Sequence, residues 1–153
     1  MSLFPLLALS LSVPHVQAAK NPFRVEAPGV DAVVDKEAAV KVTVVVPKGF
    51  HVYRDMMYLK VLDGNGLTFS EAVFPQGVFQ PDPADPEGLR EQYDESVQIS
   101  AAFTPSKPGT YAPLFEIRYQ GCKASLCYMP KKEELIITVE VGAGSTDAGD
   151  QQK

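Results

Sequence analysis

Nowhere in the 153 residues does an apolar period of 3.6 persist over ten positions, so the chain has no helical framework. What recurs instead is a short β-branched or alternating run closed by proline or glycine. After a mixed entry segment, "KNPFRVEAPGVDAVVDKEA", comes "AVKVTVVV" (Ala39 to Val46), which stops at Pro47-Lys48-Gly49. "FHVYRD" and "MMYLKVL" follow as short strands and end at the turn Asp63-Gly64-Asn65-Gly66. "LTFSEAVF" (Leu67 to Phe74) alternates up to Pro75, "SVQISAAF" stops at "TPSKPG", "TYAPLFEIRYQ" runs into a cysteine, and "ELIITVEV" closes the series. Thirteen prolines and eleven glycines supply the breaks. "QPDPADPEG" (residues 80–88) carries three prolines and three acids and is expected to be a long exposed loop. Roughly seven to nine short strands with closely spaced turns predict a single all-β domain, an antiparallel β-sandwich; a small barrel is the alternative. No internal repeat is present.

The ends have a different character. The first eighteen residues hold no charged side chain; Leu3 to Val13 is apolar, and Val16-Gln17-Ala18 is a small-residue cleavage pattern. Residues 1–18 are therefore expected to be a signal peptide cut before Ala19, since the run falls short of the roughly 20 residues a bilayer span needs. Residues 19–141 then form the domain, and "GAGSTDAGDQQK" (142–153) is expected to be a disordered tail. An exported, soluble domain works in a compartment where disulfides form. The net charge of −5 excludes a nucleic-acid groove, which needs clustered Lys and Arg.

The chemistry lies in "GCKASLCYMP" (residues 121–130), which holds the only two cysteines, Cys122 and Cys127. If the strands on either side pair as a hairpin, the cysteines sit near its mouth, close enough for a disulfide. Three readings compete. A structural staple across so short a loop restricts the unfolded chain by only about 2 kcal/mol. A metal clip lacks partners: the histidines are His15, in the leader, and His51, so zinc would need carboxylates, and copper(I) would need Met56, Met57 or Met129. A redox-active dithiol fits a short or exposed bridge, the exchange-competent kind. Lys123 and Arg118 are cations that favour a thiolate if they approach a sulfur, and Tyr119 and Tyr128 flank the motif as packing or as walls of a thiol site. No metal or other cofactor is expected. The residues alone leave staple and exchange open.

"YQGC....CYMP" resembles the active-site stretch of the amino-terminal (alpha) domain of the thiol:disulfide interchange protein DsbD, where the pattern is close to Y-Q-G-C, a short insert, then C-Y-P-P. "FPQGV" (Phe74 to Val78) is similar to that family's L-P-Q-G-V, and "KGFHVYRDMMYL" resembles its D-G-Y-Y-L-Y-R stretch, matching Tyr53 and Arg54. Segments in the same order cover roughly residues 30 to 141. The resemblance implies an immunoglobulin-like sandwich whose cysteine pair relays electrons. A membrane electron-transfer protein would be the source, and a thioredoxin-like protein, including those of cytochrome c maturation, or a disulfide isomerase the recipient. It further implies that Cys127 enters the mixed disulfide and Cys122 resolves it; Tyr53, from the matched stretch, joins Tyr119, Tyr128 and Lys123 as expected site-lining residues. The family's cap loop, E-F-Y-G, resembles "EQYDES", which places Glu91, Gln92 and Tyr93 at the cap; Gln92 stands at the aromatic tip, so Tyr93 is expected to shield instead. Two departures stand out. The cysteine spacing is one residue shorter than in the best-known members, which predicts a tighter hairpin tip. The chain also carries no thioredoxin-like or membrane part and is expected to be a free-standing version. The alternative function is a disulfide-stapled sandwich that acts as a binding or chaperone-like module.

Overall fold

The computed structural model describes residues 20–83 and 85–144, so the expected leader lies outside the described residues, as does the tail from residue 145. The described chain is all-β. In order, the strands are β1 (Arg24–Glu26), β2 (Val30–Val33), β3 (Ala38–Val45), β4 (His51–Tyr53), β5 (Tyr58–Asp63), β6 (Val78–Asp82) and β7 (Asp85–Tyr93). They continue with β8 (Val97–Phe103), β9 (Gly109–Tyr111), β10 (Leu114–Tyr119), β11 (Gly121–Lys123), β12 (Leu126–Cys127), β13 (Lys131–Ile136) and β14 (Val139–Gly142). A single 3-10 turn, Arg54–Met56, joins β4 to β5. No described helix is long and apolar enough to cross a membrane.

Alternation builds the core. In β3, Val40, Val42 and Val44 point inward, and in the paired β8, Val97, Ile99, Ala101 and Phe103 do the same. These side chains share one apolar cluster with Phe115, Ile117 and Tyr119 of β10, which is flanked by β13 and β5. Phe69 ties the two layers together, with its ring 5.1 Å from Phe103 and 5.0 Å from Phe115. The β1-β3-β8 and β13-β10-β5 sheets thus close over a shared interior. A third sheet, in the order β12-β11-β4-β7-β6, extends from one end and carries both cysteines. The fourth, β2-β14-β9, contains one parallel pair, β2 with β14, in an otherwise antiparallel molecule.

Several expected elements are corrected. The strands number more than nine because long apolar runs divide: "ELIITVEV" splits at Ile137 and Thr138 between β13 and β14, which belong to different sheets. The break is anchored where the Ile137 N–H donates to the Pro113 carbonyl. "LTFSEAVF" is not a strand; it meets β8 only at the isolated bridges Phe69–Phe103 and Val73–Ser100. Between them the Ser70 N–H donates to the Ala102 carbonyl, while the Ser70 hydroxyl, in place of a backbone carbonyl, accepts the Ala102 N–H. "QPDPADPEG" is not a loop but most of the β6–β7 hairpin. Pro81 is tolerated because β6 is the sheet's edge, where it removes a donor from the ladder at little cost. The entry segment supplies β1 and β2.

Candidate disulfide exchange site

The strand pair expected around the cysteines is present: β10 and β13 are antiparallel from Leu114–Ile136 to Tyr119–Lys131. Beyond it the chain continues as the small β11–β12 hairpin, in which Cys122 lies directly opposite Cys127. The two are joined in a disulfide with a Cα separation of 3.9 Å. The tip is as tight as the shortened spacing predicts: Lys123 pairs with Leu126, leaving only Ala124 and Ser125 in the turn. A two-residue hairpin turn of this kind needs a positive φ at its first central position, and Ala124 adopts +50°.

The two sulfurs have opposite surroundings. Cys122 is fully buried, whereas Cys127 is exposed, between Leu126 at 78% and, two positions on, Met129 at 85% exposure. Lys123, Leu126, Cys127 and Tyr128 line a shallow cleft of about 260 Å³. The floor beneath the hairpin is aromatic. Phe23 packs edge-on against Phe50 at 5.5 Å and Tyr128 at 6.0 Å, and lies 6.2 Å from Tyr119. Gly121 makes room for it, since a Cβ at that position would come within 2.1 Å of the Phe23 ring. Of the expected lining residues, Tyr128 thus supports the hairpin, and Tyr119 lies buried under it with its hydroxyl donating to Glu133. Burial, then that bond to Glu133, raise the Tyr119 pKa well above its ordinary value. The Lys123 ammonium sits 5.4 Å from the Phe50 ring centroid.

A polar face crosses the sheet on the cysteine side. In register, β4 lies next to β11, and His51 is directly opposite Cys122. Directly opposite residues share a face, with Cβ atoms about 5 Å apart. Tyr53, two positions on, shares that face; its ring is 4.9 Å from that of His51, and the Arg90 guanidinium covers it at 3.7 Å while binding Asp55. On the far side of β4, Gln92 lies opposite Tyr53 and donates to Asp94, just past the end of β7. The His51 Nε2 is buried without a hydrogen-bond partner. Burial lowers the His51 pKa below 6.5; the Asp94 carboxylate opposes that shift and Arg90 adds to it.

Glu91, Gln92 and Tyr93, expected on a loop, are instead the last residues of β7. Only Gln92 is on the face of Tyr53 and His51. Tyr93 pairs with Val52 on the other face, is buried, and donates its hydroxyl to the Pro75 carbonyl. Burial first, and then Glu91, raise its pKa, with Arg54 opposing. Glu91 accepts the Gly77 N–H. Among the described residues, no cluster of three or more His, Cys, Asp or Glu is placed to hold a metal. Phe23, Phe50, Gly121 and His51 were not singled out from the sequence as site residues. For His51 a signal existed: it stands two positions before Tyr53, and in a strand that spacing means one shared face.

Fold and site together define a β-sandwich domain with a disulfide at the tip of a surface hairpin, one sulfur sheltered and the other open. The family model described as "Thiol:disulfide interchange protein DsbD, N-terminal" matches residues 15–138, and the chain belongs to that family. No curated protein matches at a comparable level. Among solved structures, the chain is similar to the Neisseria meningitidis DsbD N-terminal domain in the reduced form, at 21% identity and a TM-score of 0.56, covering 82% of this chain and 91% of that one. It is also similar to a chain of the complex between the DsbD N-terminal and PilB N-terminal domains of Neisseria meningitidis, at 20% identity and a TM-score of 0.57, covering 80% and 88%. The shared fold is the immunoglobulin-like sandwich.

Proposed function

We propose that this chain is a periplasmic thiol:disulfide exchange protein that relays reducing equivalents through Cys122 and Cys127. A membrane electron-transfer protein is the proposed donor, and a thioredoxin-like protein or disulfide isomerase the acceptor. The observation that carries the reading is the asymmetry of the pair, Cys127 exposed at the hairpin tip and Cys122 fully buried behind it. Exchange begins when one thiolate attacks a disulfide of another protein, so the attacking sulfur must be reachable. The second sulfur then attacks the first and releases the partner, and for this it needs only to stay beside it. Cys127 takes the first role and Cys122 the second. Leu126 and Met129, apolar and exposed beside Cys127, suit a surface that a partner covers. Support for a protein partner comes from the DsbD N-terminal domain of Neisseria meningitidis in complex with a PilB N-terminal domain. Gln92 is the member of the 91–93 segment that shares the face of Tyr53 and His51, and we assign it the shielding that a cap would give.

Trapping tests the reading. The Cys122→Ser variant, lacking the resolving sulfur, should accumulate a mixed disulfide through Cys127 with a thioredoxin-like protein, visible on a non-reducing gel. Accumulation by Cys127→Ser instead would reverse the roles, and failure of both variants to trap would favour a stapled binding module.

A further inference from the structure

We propose that His51 is the proton acceptor for Cys122 in the resolving step of exchange. This rests on the exchange reading and adds a residue to it. Cys122 is fully buried, and a buried thiol resists ionisation because the thiolate loses its hydration. It therefore needs a neighbouring base to become a nucleophile near neutral pH. His51 stands directly opposite it on the next strand, on the same face, with a buried Nε2 that has no hydrogen-bond partner. A buried ring nitrogen with no protein partner is uncommon in a folded protein, and it leaves this one open to accept a proton. The groups around this imidazole are the Cys122–Cys127 disulfide from β11 and β12, Tyr53 on its own strand, and Asp94 and Arg90 from the β7 side. Lys123, next to Cys122, is instead held over Phe50. Asp94 favours the imidazolium and Arg90 disfavours it, so the ring is a base that can accept one proton and return it.

In the mixed disulfide, Cys127 Sγ is bonded to a partner sulfur and Cys122 is a thiol. The Cys122 proton passes to His51 Nε2 as its sulfur attacks Cys127 Sγ. The Cys122–Cys127 bond forms, the bond to the partner breaks, and the partner sulfur leaves with the electron pair. His51 then returns the proton to the leaving sulfur or to water. The partner's disulfide has been reduced to two thiols, and this domain has been oxidised.

The test follows the reduced protein reacting with oxidised glutathione, quenched in acid and read by mass spectrometry. In His51→Gln the glutathione adduct should persist, its decay slowed about 100-fold at pH 7, which is the low end of what a positioned base supplies. The deficit should narrow as pH rises and the thiol is increasingly deprotonated without the imidazole. Adduct decay identical to that of the wild type at every pH would overturn the proposal. A second readout needs no variant. The chain has only His15 and His51, so the His51 ring is readily followed by NMR. Its pKa should fall on chemical reduction of the disulfide, because a Cys122 thiol that donates to the neutral imidazole favours the neutral form; an unchanged value overturns the proposal. Failure of the wild type to form any adduct would instead remove the exchange reading, and the NMR titration would still report the proton coupling.

Discussion

The β3–β8 pair and the β11–β12 hairpin are both antiparallel ladders, yet different forces hold them. The first runs in register from Ala38–Phe103 to Val44–Val97 and turns alternate residues into the core along its whole length. The second has two registered pairs, Cys122–Cys127 and Lys123–Leu126, and exposes most of its side chains. A covalent bond, the Tyr128 N–H on the Gly121 carbonyl and the aromatic floor around Phe23 keep it in place. Stability is therefore concentrated in one region and chemistry in the other. On the proposed exchange reading, the disulfide would open and close while the sandwich stays folded.

The largest effect expected from this contrast is in the core. Phe115→Ala, at a fully buried position, should cost about 3–5 kcal/mol in urea denaturation. Replacing both cysteines with serine should cost about 2 kcal/mol, the chain-entropy value for so short a loop. Equal losses would erase the distinction between the two regions. Gly121→Ala probes the floor beneath the hairpin: its new methyl group meets the Phe23 ring, and a loss of about 1–3 kcal/mol is expected. Trimming the ring in a Gly121→Ala, Phe23→Leu double variant should return part of it; strict additivity would show that the two residues do not meet. At the tip, Ala124→Gly relieves a positive φ and should raise stability by up to about 1 kcal/mol, measured as a higher midpoint. A loss there would mean that the turn is not strained.

The smallest effect is with pH. The folded, oxidised state holds the His51 pKa below 6.5, so the unfolded chain binds its proton first. The associated stability is complete above about pH 6.5 and is lost as pH falls toward the folded-state value. His51→Gln should flatten that part of the stability profile, and a profile unchanged by the substitution would mean that burial does not penalise the imidazolium.

What was legible in the sequence follows the same division. Where alternation is dense, as in β3, β8 and β10, the residues alone locate the strands, because burial of one face leaves a period of two. The cysteine pair and the Tyr53 stretch were legible through their local pattern. The β6–β7 hairpin was hidden because proline at an edge costs little, a condition set by the neighbours and not by the segment. The segment around Ser70 alternates like a strand, yet one of its links to β8 is made by a side-chain oxygen, which no apolar period reveals. The position of His51 against Cys122 depends on the pairing of residues 71 positions apart, and register of that kind has no local signature. The same holds for Phe23, which reaches Gly121 from the start of the described chain.

The most direct test of the central claim is an equilibrium titration of the Cys122–Cys127 disulfide with glutathione under native conditions, with circular dichroism recorded at each point. A potential near or above about −250 mV, reached with the β signal unchanged, is the predicted result. A potential below about −300 mV, or a bridge that yields to dithiothreitol only when the protein unfolds, would contradict it and make the disulfide a staple.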